Sequence, residues 1–156
     1  MYEKILVPLD GSKVGEAALP YVEELVSKLA AVQKVKVTLL QVVSSLTHPV
    51  VAGGESVSIP YTEVEVEQIK KKAMNYLNKT SKDLRSKGAV VSSKVAVGRA
   101  AEEIIKAAGE INADLVAMST HGRHGLSRWA FGSVTDRVLR GGKVPILLVR
   151  AGKGTT

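Results

Sequence analysis

The chain has 156 residues, 45% hydrophobic but only 4% aromatic, so its core must be aliphatic, built from Val, Leu, Ile and Ala. It has no cysteine, which excludes disulfides, thiolate metal sites and cysteine nucleophiles. The net charge of +7 is uneven: 15 basic and 14 acidic side chains in residues 1–120, but 7 and 1 in residues 121–156.

Ile5-Leu6-Val7-Pro8-Leu9 is a short apolar run ending in Asp10-Gly11-Ser12, which predicts a buried strand and a turn whose Asp10 or Ser12 is available to cap a helix. From Lys13 to Gln33, apolar residues recur at three- and four-residue spacing from Ala17 to Leu29. That is one helix face, with Pro20 expected to kink it. Val35 to Val43 reads as a second strand. Ser44 to Pro60, with His48-Pro49, Gly53-Gly54 and several serines, reads as a long loop.

Tyr61 to Lys87 is the longest helical stretch, and Glu63, Glu65 and Glu67 mark an exposed strand-like or first-turn edge. Ala89 to Val97 is a third strand, followed by a helix over about Ala100 to Gly109 with Glu102 and Glu103 in its first turn. Asp114 to Ser119 is a fourth strand. A glycine-containing loop leads to a helix over about Gly132 to Arg140, stopped by Gly141-Gly142, and Pro145 to Arg150 is a fifth strand.

Strands alternating with helices imply parallel pairing through right-handed crossovers. The expectation is an α/β three-layer sandwich, with one Rossmann-like, doubly wound, five-stranded parallel sheet in the order 3-2-1-4-5. It forms one domain over 1–151 with a short basic tail at 152–156. No apolar run approaches the roughly 18 residues of a membrane span, and no charged leader precedes the first strand. A cytoplasmic protein without a membrane partner is expected.

Ligands of doubly wound sheets sit beyond the carboxyl ends of the strands, where the strand order reverses. With the first and fourth strands as neighbours, Asp10-Gly11-Ser12 and Ser119-Thr120-His121-Gly122 face each other across a crevice. Downstream, Gly122, Gly125 and Gly132 allow close backbone approach and positive φ. Gly132-Ser133 opens a helix whose unpaired N–H groups attract anions. Ser133 and Thr135 add hydroxyls, and Arg123 and His124 add charge. Composition leaves two readings of this loop, a simple turn and an anion site. It has neither the Gly-Lys-Ser/Thr of a Walker loop nor dinucleotide-type glycine spacing. The confined basic segment fits a small anion at least as well as a long polyanion. With one Trp and one Phe it lacks a base-stacking pattern, so no nucleic-acid partner is expected.

The opening Lys4-Ile5-Leu6-Val7-Pro8-Leu9-Asp10-Gly11-Ser12, and Ala113-Asp114-Leu115-Val116 leading to Ser119-Thr120-His121-Gly122, resemble the universal stress protein family over essentially the whole chain. Its nucleotide-binding members share the pattern Gly, two residues, Gly, nine residues, Gly, then Ser or Thr. Gly122, Gly132 and Ser133 match the last three elements, while Ser119 replaces the first glycine. The resemblance implies an adenine nucleotide alpha hydrolase-like fold that binds ATP, with AMP or ADP as alternatives, and Mg²⁺ carried on the phosphates. It implies Pro8, Leu9 and Asp10 beside adenine and ribose, Val42 at the adenine edge, and Met118 and Ser119 on the nucleoside side. Gly122, Arg123, Gly132, Ser133, Val134 and Thr135 would surround the phosphates. It also implies a homodimer paired through the C-terminal strand and a stress-response or signalling role read by an unidentified protein partner. No catalytic residue is expected. A dimeric scaffold that binds no nucleotide and a slow ATPase are the alternatives.

Overall fold

The computed structural model of the chain describes residues 2–120 and 132–152. Its elements are β1 (Lys4–Leu9), a 3-10 turn (Val14–Glu16), α1 (Leu19–Leu29), β2 (Lys36–Val43), β3 (Thr47–Ala52) and β4 (Glu55–Pro60). They are followed by α2 (Glu63–Ser86), β5 (Val90–Val97), α3 (Ala100–Glu110), β6 (Leu115–Thr120), α4 (Ser133–Gly141) and β7 (Ile146–Arg150). Five strands form one sheet in the order β5-β2-β1-β6-β7, and every pairing in it is parallel. Counting only these strands, that is the expected 3-2-1-4-5 order.

The continuous apolar runs follow from burial on both faces of the sheet. Ile5, Val7 and Leu9 of β1 point into the layer made with Val22 and Val26 of α1 and Leu77 and Leu84 of α2. Leu6 points the other way, with Leu40 of β2, toward Ala101, Ile104 and Ala107 of α3 and Val138 of α4. The same alternation splits β6, sending Leu115 and Ala117 to one layer and Val116 and Met118 to the other.

Two expectations are corrected. Residues 44–60 are not a structureless loop: β3 and β4 pair as an antiparallel hairpin from Thr47↔Pro60 to Ala52↔Glu55. Gly53 and Gly54, at φ +62° and +82°, supply the left-handed pair that a tight two-residue hairpin turn requires. Nor does one kinked helix run from Lys13. A 3-10 turn comes first, and Pro20 lies in the first turn of α1, where its missing N–H breaks no intrahelical bond. The acidic cluster resolves into a helix start. Thr62 Oγ1 accepts from the Glu65 amide, and the Glu65 carboxylate accepts from the Thr62 amide, a reciprocal cap.

Candidate functional site

The strand order reverses between β1 and β6, since β1 crosses over toward β2 while β6 crosses over toward β7. A cleft of about 610 Å³ opens at the carboxyl ends of these strands, within the size range of small-molecule sites. Pro8, Leu9 and Asp10 line it from β1 and the turn after it, Val42 from β2, and Met118 and Ser119 from β6. Gly132, Ser133, Val134 and Thr135 close it at the start of α4. Ten of the twelve residues expected at the site therefore surround one space. The other two, Gly122 and Arg123, lie outside the described residues.

Thr120, expected at the crevice, lines the cleft as well, and the sequence reading missed Gly15, Leu40, Ser44, Ala100 and Ile104, which also line it. Leu40 was legible, because it lies two residues before Val42 on the same face of β2. Ala100 and Ile104 follow from the same rule that selected Asp10 and Ser119, since α3 begins at the carboxyl end of β5. The same rule covers Ser44, directly after β2, while Gly15 carries no comparable sequence signal.

Chemically the cleft has two kinds of wall. Leu40, Val42, Ile104 and Met118 make an apolar surface that suits a flat or aliphatic group. The opposite kind is the start of α4. Gly132 is its N-cap residue at φ +76° and, as a glycine, brings no side-chain cap of its own. The first amides of the nine-residue α4 have no intrahelical acceptor, and the helix dipole places partial positive charge there. A Cβ built on Gly132 meets no described atom within 4 Å. The backbone conformation at this position is therefore one that favours glycine.

The turn after β1 is held by its own side chains. Asp10 Oδ1 accepts from the Ser12 amide at 2.9 Å and from Ser12 Oγ at 2.6 Å, and Ser12 Oγ accepts from the Gly15 amide at 3.0 Å. Ser12 thus ties Asp10 to the Gly15 amide within the 3-10 turn, whose N-cap position is Lys13 and carries no side-chain cap. Gly15 is needed for space: a Cβ there would run into the Asp10 carboxylate. Beside it, Tyr76 Oη of α2 donates to Glu16 Oε1 at 2.8 Å. Burial first, then this bond to the Glu16 carboxylate and its charge, push the Tyr76 phenol well above its usual range.

The profile of the Universal stress protein family matches residues 1–150 of this chain. The universal stress protein MJ0577 of Methanocaldococcus jannaschii is 30% identical over 158 aligned residues, covering 96% of each chain. Its solved structure superposes over 99% of both chains with a TM-score of 0.73 at 28% identity. A universal stress protein solved in complex with cAMP shares the fold at a TM-score of 0.63 and 21% identity, over 97% of this chain and 98% of that one. One from Archaeoglobus fulgidus in complex with dAMP does so at 0.60 and 18%, over 95% and 98%.

Proposed function

The chain belongs to the universal stress protein family, and we propose that its cleft binds an adenine nucleotide, ATP foremost, as the ligand of a cytoplasmic stress-response or signalling module. The observation that carries this reading is the convergence of the apolar wall, Asp10 and the glycine-led start of α4 on one cleft of about 610 Å³. Proteins of the same fold solved with cAMP and with dAMP are in keeping with it.

In this arrangement the base lies against Val42 and Met118, and Asp10 accepts from a ribose hydroxyl. The phosphates meet the first amides of α4 and the hydroxyls of Ser133 and Thr135. Gly122 and Arg123 complete the phosphate site in the family pattern. A Mg²⁺ ion would travel with the phosphates, held chiefly by the nucleotide. The bound state is read by a protein partner, and two copies pair through β7, whose Ile146, Leu147, Leu148 and Val149 are only partly covered at the sheet edge.

Calorimetric titration with ATP, AMP and GTP tests the site. The wild type should bind ATP, and Gly132→Val should weaken binding by about tenfold or more, because a β-branched residue is strained at φ +76°. Equal ATP affinity in a folded Gly132→Val variant defeats the proposed phosphate site. GTP binding as tight as ATP defeats the adenine assignment.

A further inference from the structure

Ser119 stands where the nucleotide-binding pattern of the family has its first glycine, and its hydroxyl does not stay free for a ligand. Ser119 Oγ donates to the Gly15 carbonyl at 2.8 Å and accepts from the Ala18 amide at 2.9 Å. Both partners lie more than a hundred residues earlier in the chain, Gly15 within the 3-10 turn and Ala18 just before α1. That segment needs an external hold. The N-cap of α1 is Ala18, which offers no side-chain cap, and Pro20 follows in the first turn. Ala18 is 1% exposed, so its N–H is out of reach of solvent and requires an acceptor from the protein. Ser119 supplies one from β6.

The hold bears on the cleft because Gly15 and Asp10 both line it. Gly15 is packed so closely on the Asp10 carboxylate that no Cβ fits between them. Fixing the Gly15 carbonyl therefore fixes the position of Asp10, which is also tied through Ser12 to the Gly15 amide. We infer that Ser119 is a positioning residue: it clamps the Gly15–Ala18 segment against β6 and so sets the Asp10 wall of the nucleotide site. A glycine at this position would leave the Ala18 amide without this acceptor. This inference rests on the adenine-nucleotide reading of the cleft.

The experiment compares wild type, Ser119→Ala and Ser119→Thr, with ATP as the probe. Amide hydrogen exchange is followed at Ala18 in the nucleotide-free protein, and ATP affinity is measured on the same samples. Ser119→Ala should speed exchange at Ala18. It should also weaken ATP binding about tenfold, the loss expected if the Asp10 wall holds its competent position a tenth of the time. Ser119→Thr keeps the hydroxyl and should restore both. Unchanged Ala18 exchange in Ser119→Ala overturns the clamp. Faster exchange with undiminished ATP affinity overturns the positioning role. If Ser119→Ala fails to fold, Ser119→Thr decides: slow Ala18 exchange and wild-type affinity support the clamp, and loss of either overturns it. Failure of the wild type itself to bind ATP defeats the nucleotide reading, and is visible before any variant is compared.

Discussion

Asp114 works at the end of the sheet opposite the cleft. Its carboxylate Oδ2 accepts from the amides of Lys4 at 2.9 Å and Glu3 at 3.0 Å, strapping the start of β6 to the start of β1. The Lys4 amide is the main cause that holds the Asp114 carboxyl below its usual range. Partial burial opposes it, and the Glu3 amide and nearby positive charge reinforce it. A folded-state pKa below the unfolded one contributes stability that is present above the ordinary carboxylate range and is lost as pH falls through the lowered value. Denaturant unfolding of wild type and Asp114→Asn should therefore differ most at neutral pH and converge as pH falls through and below the ordinary carboxylate range. A constant difference across that range would show that the strap does not depend on the carboxylate charge. Ser119 shows what a residue reading leaves out. Its place in the motif was legible, but the direction of its hydroxyl depends on Gly15 and Ala18, and no local pattern announces a bond spanning 101 to 104 residues.

At the scale of elements, the sheet strands were legible because burial on both faces writes itself as uninterrupted apolar runs such as Ile5–Val7 and Leu115–Ala117. The β3–β4 hairpin was not. Its Val57 and Ile59 are spaced by serines on a largely exposed ribbon, and Pro49 within β3 argues against a strand. The decisive signal was Gly53-Gly54, which composition alone renders as loop and turn chemistry renders as a hairpin. The start of α1 was misread for a related reason: periodicity marks a helix face well but does not separate a 3-10 turn from the α-helix it precedes. Helix α2 was read from its length and periodicity alone. The sequence reading did not use the capping pair of Thr62 and Glu65, which starts α2 at Glu63 instead of Tyr61.

For the molecule as a whole, most of the charge excess of +7 falls in residues 121–156, the part of the chain that includes α4 and β7. The sheet leaves β7 as one of its two edges, and an apolar edge strand is a site for pairing. Light scattering during size exclusion should give twice the 16.6 kDa chain mass, and a charged substitution at Leu148 should shift the protein toward the monomer. A monomeric wild type would contradict pairing through β7. The location of the ligand is a separate and more central matter, and amide chemical-shift mapping during titration with ATP tests it most directly. The largest shifts should fall on Asp10, Val42, Ser119 and Ser133–Thr135, with the β3–β4 ribbon and the Asp114 strap little affected. Absence of saturable shifts, or a maximum away from the carboxyl ends of β1 and β6, would contradict an adenine nucleotide site in this cleft.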